Sequence, residues 1–199
     1  LRLVSTYGWE QKQVDQVQAM DGVVDAEGIF YLDLIAQKGE EKEEKVYRFY
    51  TISDKLDQIA LRGGRMPENS RECLADGYFS DDSILGKQIQ ISQNNDADDL
   101  DIITTRPLTV VGYVSTPVYM DMNRGTTTVG SGSISGFVYV PQDTMDADYF
   151  TEIHLTIPRE HDIYTDDYND QMKDAMDAME PEAKRLGQER FDDVKAEES

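Results

Sequence analysis

The chain has 199 residues, room for one sizeable core or two small ones, and 40 Asp and Glu against 19 Lys and Arg give a net charge of -21. That excess of carboxylates repels phosphate backbones and anionic headgroups, which excludes nucleic acid and an anionic lipid surface as partners. Cys73 is the only cysteine, so an internal disulfide and a CxxC metal site are excluded as well. Apolar runs of about four residues fall far short of the ~20 that cross a bilayer. A start at Leu1, with no methionine and no cationic leader, predicts a piece of a longer protein.

Taken in order, LRLVSTY is β-branched and apolar enough for a first strand, and Val14, Val17 and Met20 in EQKQVDQVQAM recur at helical spacing. Gly22 ends that helix, and VVDAEGIFYLDLIA reads as one or two extended segments, giving a βαβ start. Glu40 to Glu44, EEKEE, is a solvated hairpin tip before the strand VYRFYTI at Val46 to Ile52. From Gly63 the texture changes to short strands and turns, with ECLA at Glu72 to Ala75, GKQIQI at Gly86 to Ile91 and PLTVVGYV at Pro107 to Val114. SQNNDADDLD, Ser92 to Asp101, reads as an exposed loop.

Met120 to Gly132 reads as a long flexible connection, and Ile134 to Val140 as a return to the sheet. EIHLTIP alternates, Ile153, Leu155 and Ile157 on one face and Glu152, His154 and Thr156 on the other, which puts His154 at the surface. The last third is helical, with Thr165 or Asp166 as cap and an apolar stripe from Tyr168 through Met172, Met179 and Leu186. Pro181 is expected to kink or restart that helix.

Catalytic templates fail. GSISG at Gly132 to Gly136 has Ile134 where a nucleophile elbow needs serine, and His154 and His161 stand outside any HExxH arrangement. Asp96, Asp98, Asp99 and Asp101 offer oxygens to a hard cation but lack the glycine and terminal glutamate of an EF-hand, and Asp162, Asp166, Asp167 and Asp170 share that weakness. With 40 carboxylates, some pair will sit at glycosidase spacing by accident. No GxxxxGK[ST] loop or GxGxxG is present, so ATP is not bound by this chain. The sequence assigns no catalytic residue, no metal ligand and no cofactor. In GGRMPENSREC, Gly63 to Cys73, the glycines and Pro67 predict a turn and hairpin in which Arg65 pairs with Glu68 or Glu72.

GGRMPENSRECLAD resembles the GRxPxxxxE segment of the MacB-like periplasmic core domain, the extracytoplasmic insertion of FtsX-like ABC transporter permeases. VSTYG and DGVVDAEG are similar to the family's opening strand, helix and strand. Leu85, Gly86, Lys87, Ile89 and Ile91 match its lGkxixi segment, and Leu108 with Val110 to Val114 its fxVvGyv strand. The stretches TPVYMDMNRGTTTVGSGSISGFVYVP and DYFTEIHLTI resemble the version found in permeases of Gram-positive bacteria.

The resemblance implies an α+β fold of two lobes: a βαβ-rich lobe formed by both chain ends, and an inserted β-rich lobe. The expected segments are 1–57 for the first part of the βαβ-rich lobe, 58–115 for the inserted lobe, 116–164 for return strands and a glycine-rich connection, and 165–199 for a helix or stalk leading to a transmembrane segment. Gly64, Arg65, Pro67, Glu72, Gly86 and Gly112 are its structural motif positions. The further implication is a non-catalytic domain on the extracellular side of the cell membrane. It would work with a separate cytoplasmic ATP-binding subunit and carry transmembrane helix movement to a peptide, lipid, lipoprotein or cell-wall protein. The efflux relatives dock onto a periplasmic adaptor, which a Gram-positive permease has no outer membrane to require, so no contact residues carry over. High acidity and the GTTTVGSGSISG stretch instead suggest a partner surface at Thr126, Thr127, Thr128, Ser131, Ser133 and Ser135. A free-standing secreted or surface binding module, and a carboxylate-based hydrolase, are the alternative readings.

Overall fold

A computed structural model describes residues 1–53, 55–56, 59–78, 80–115, 125–163 and 165–197. The chain is a two-lobed α+β protein. One compact unit contains residues Leu1–Ile29 and Asp148–Ser199, and the other contains Phe30–Ala147.

The first unit is an open three-stranded sheet backed by helices. Strands β1 (Arg2–Trp9) and β2 (Asp25–Ile29) flank β10 (Phe150–Thr156), which runs antiparallel to both. The βαβ start is therefore split: helix α1 (Gln11–Gln18) joins two parallel strands that do not touch, because a strand from far along the chain lies between them. Val14 and Val17 of α1 are buried with Trp9, Ala26, Ile153 and Leu155, and helix α3 (Asp166–Glu197) adds Met179 and Leu186 to the same core. Thr165 caps α3 by accepting the Tyr168 N–H on its Oγ1 at 3.1 Å, and Asp166 and Asp167 in the first turn favour the helix dipole. The helix runs through Pro181 as one element, so proline does not restart it.

The second unit is a closed barrel. Its ring runs β3 (Tyr31–Lys38), β4 (Lys45–Thr51), β9 (Gly136–Val140), β6 (Glu72–Asp76), β8 (Leu108–Ser115) and β7 (Gln88–Ile91), and β7 pairs back onto β3. Strand β5 (Ala60–Gly64) is added on β8. The inner face carries Leu34, Phe49, Ile89, Leu108, Val110 and Val138, all essentially inaccessible. EEKEE is indeed the tip of the β3–β4 hairpin.

Three expectations need correction. SQNNDADDLD is not an open loop: it contains helix α2 (Ala97–Ile102), and the buried Asn95 accepts the Ile35 N–H at 2.7 Å and donates to the Ile35 carbonyl at 2.9 Å. GGRMPENSREC is not a hairpin, because β5 and β6 do not pair with each other; each pairs with β8. Of the connection Met120 to Gly132, residues 120–124 lie outside the described residues. The rest is ordered by a bridge between Thr126 and Ser133.

Candidate functional site

The motif positions converge on β8. One edge of this strand is shared, its first residues pairing with β7 and its last four with β5, while the other edge is taken by β6. Gly64 lies opposite Gly112, at φ +77°, and a Cβ there would fall 2.2 Å from the Val111 carbonyl oxygen. A Cβ at Gly112 would meet the Arg65 carbonyl at 2.5 Å. The Arg65 N–H donates to Val111 O at 3.0 Å, and the Gly86 N–H to Val110 O at 2.8 Å. The Arg65 guanidinium then grips Glu72 through two bonds of 2.7 and 2.6 Å, with Glu72 also accepting the Glu68 N–H at 2.8 Å. Those donors hold the Glu72 carboxyl down at about 2. Pro67 lies in the bend that this clasp closes. The positions form one joint in which backbone approaches backbone, and no reacting group projects from it.

The hydroxyl stretch forms a second, separate place on the barrel unit. The Thr127 N–H donates to Gly132 O at 3.2 Å, and the Ile134 N–H to Gly125 O at 3.1 Å, closing a short hairpin. Thr126, Thr128, Ser131 and Ser133 are exposed along it, while Thr127 and Ser135 are half-buried. Val129 N–H donates to Thr127 Oγ1 at 3.1 Å, so that hydroxyl serves the turn.

In the open unit, polar side chains that the sequence did not single out tie the helices together. Arg190, 8% exposed, forms an ion pair with Glu10, and Lys12 pairs with Glu189. Gln13 Oε1 accepts the Glu10 N–H at 3.0 Å. Trp9 Nε1, Gln13 Nε2 and Arg190 Nε have no acceptor among the described residues, which leaves Glu10 the one carboxylate seen to serve the Arg190 guanidinium. Gln171 fixes the other end of α3, donating to Pro158 O at 2.8 Å and accepting the Glu160 N–H at 3.2 Å. Spacing alone does not announce these pairs, since Glu10 and Arg190 are nearly a chain length apart.

His154 is buried, not a surface group: its Nε2 lies 2.6 Å from Glu152 Oε2, and Arg2 Nη1 donates to Glu152 Oε1 at 3.2 Å. Alternation assigned one face of β10 to solvent, yet Glu152 through Leu155 are buried without interruption. Cys73 is inaccessible, and burial pushes its thiol pKa up, which makes it a core residue with little thiolate. Among the described residues no three His, Cys, Asp or Glu side chains gather to hold a metal ion.

An open groove of about 800 Å³ lies between α1, the end of β10 and the first half of α3. Its floor is Met20, Ala175, Ala178, Met179 and Ile157, and its rim carries Asp21, Glu160, Glu182 and Arg185.

The fold and these sites define a class: a two-lobed α+β domain, a closed barrel inserted in an open sheet-and-helix unit. No protein-family model and no curated protein matches the chain. Among solved structures it is similar to the extracellular domain of the noncanonic ABC-type transporter YknZ from Gram-positive bacteria, at 11% identity over 85% of this chain and 86% of that one, with a TM-score of 0.46. It is also similar to the periplasmic region of MacB from Actinobacillus actinomycetemcomitans, at 13% identity over 92% and 82%, TM-score 0.49. A domain of a putative permease protein from Porphyromonas gingivalis matches at 13% identity over 91% and 78%, TM-score 0.46.

Proposed function

We propose that the chain is the non-catalytic extracellular domain of an ABC transporter permease. In this reading it carries ATP-driven movement of the transmembrane helices to the export of, or response to, a peptide, lipid or lipoprotein. The observation that supports the reading is the placement of the first and last elements in one unit. Strand β1 is hydrogen-bonded to β10, and the ion pairs of Arg190 with Glu10 and Lys12 with Glu189 bind α3 to the start of α1. A displacement applied along α3 is then delivered to the sheet through side chains, not through a flexible link. The ATP-binding subunit is a separate partner, and a domain carried between two membrane segments would enter and leave through this unit.

The test is substrate-responsive ATP turnover by the full permease in lipid with its ATPase subunit. The unchanged protein is compared with a double variant, Lys12→Ser with Arg190→Met, that removes both ion pairs between α3 and the start of α1. Loss of the response to peptide, lipid or lipoprotein with assembly and basal turnover intact is the expected result. An unchanged response and unchanged transport, or a permease that has no ATPase partner, would move the weight to a free-standing binding module.

A further inference from the structure

We propose that the groove between α1 and α3 docks the apolar face of a cationic amphipathic helix from a partner protein. The proposal rests on the groove alone and stands whether or not the chain is carried by a permease.

Its floor is apolar and built of small and pliable residues. Ala175 and Ala178 leave the backbone of α3 bare, the half-buried Met20 flanks them with an unbranched thioether side chain that adapts to a partner's shape, and Met179 lies beneath them, mostly buried in the core. Ala178 is exposed among the described residues. Small residues at one step of a helix, with adaptable apolar groups at the next, are what a second helix needs to approach closely.

Charge then decides which helix. In the two segments of this unit, Asp and Glu outnumber Lys and Arg by 21 to 8. At 100° per residue, Asp167, Asp170, Asp174 and Asp177 fall on the flank of α3 beside Gln171, Ala175 and Ala178, away from the core side. All four are exposed, and no cation among the described residues pairs with them. The one cation on the rim, Arg185, is already engaged: it bonds Glu182 at 2.9 and 2.6 Å and Glu189 at 3.0 Å. An apolar floor beside an unneutralised acidic ladder complements a helix with leucines on one face and lysines on its shoulders, and repels an acidic one. From Gln171 to Arg185 the helix rises ~21 Å, so the occupant has about four turns. A lipid tail would use the floor but would gain nothing from the ladder, and its anionic headgroup would be repelled.

The probe is a 14-residue synthetic Leu/Lys amphipathic helix, titrated by calorimetry against the whole chain. Two controls accompany it: a scrambled peptide of the same composition and a Leu/Glu counterpart. The methionine methyl resonances are followed by NMR. The amphipathic peptide is expected to bind at least about tenfold more tightly than the scrambled one, to weaken with salt, and to shift the Met20 and Met179 methyls. Ala178→Arg, at an exposed helical position that tolerates the change, should lower the affinity about tenfold while circular dichroism is unchanged. Equal affinity for scrambled and amphipathic peptides, binding of the Leu/Glu peptide, or unmoved Met20 and Met179 methyls would overturn the proposal. So would uptake of neutral phosphatidylcholine vesicles in place of the peptide. These readouts need no permease, so their failure leaves the transporter reading standing, and the reverse also holds.

Discussion

The two units face the same hazard, unpaired strand edges, and meet it in opposite ways. The barrel closes its sheet on itself, so backbone hydrogen bonds define its shape and side chains fill it. The other unit leaves β1 and β2 as outer strands and relies on helices pinned by side chains: Met179 and Leu186 in the core, Arg190 on Glu10, and Gln171 on the end of β10. Backbone pairing sets what the closed sheet tolerates, whereas side-chain contacts set what the braced unit tolerates.

The largest effect should come from Leu186→Ala, which opens a cavity under α3 and costs about 3 kcal/mol. Hydrogen exchange should then show faster exchange in β1, β10 and α1 while amides of β8 stay protected. Uniform loss of protection would mean that the two units share one cooperative transition. Gly64→Ala reverses the pattern. At φ +77° and 2.2 Å from the Val111 oxygen, the new methyl forces apart β5 and β8 at a cost of roughly 2 kcal/mol, and the losses should be confined to the barrel.

Smaller and more diagnostic is the Arg190 clasp. Glu10→Ala strands a buried guanidinium and should cost about 2 kcal/mol. Arg190→Met removes the charge and keeps the apolar stem, at roughly 1 kcal/mol. Equal costs in urea titrations would show that Arg190 reaches water. The smallest effect is pH-dependent. With its folded pKa held at about 2, below the ordinary 4.5, ionised Glu72 adds stability that is present above pH 4.5 and lost as pH falls toward 2. The melting temperature of Glu72→Gln should lie a few degrees at most below that of the parent at pH 7, and the gap should close through that window.

Most strands were readable because their patterns are local. LTVVGYV, ECLA and VYRFYT are β-branched or aromatic runs, and Val14 and Val17 mark the inward side of α1 as their spacing says. What was not readable depends on partners far along the chain. ALRGG has two glycines and no strong strand former at its end, and is a strand only because β8 offers it an edge. His154 and Glu152 alternate as surface residues do, and no local pattern shows that the second face of β10 is covered. Asn95 reads as loop polarity, but its amide replaces a missing strand neighbour at Ile35. In the groove, Met20 and Met179 were visible as apolar positions at helical spacing, whereas the bare strip at Ala175 and Ala178 beside the Asp170 and Asp174 flank emerges only once α3 lies against α1.

The position of β10 bears on time as well as on shape. It is the middle strand of the open sheet, yet it is made after residue 149, so β1, α1 and β2 have no sheet to join while the next 118 residues are synthesised. The barrel, contiguous from Phe30 to Ala147, has all of its strands before β10 is made and can close first. The insert is finished before its host, and the N-terminal segment waits with its apolar face open until the final quarter of the chain arrives.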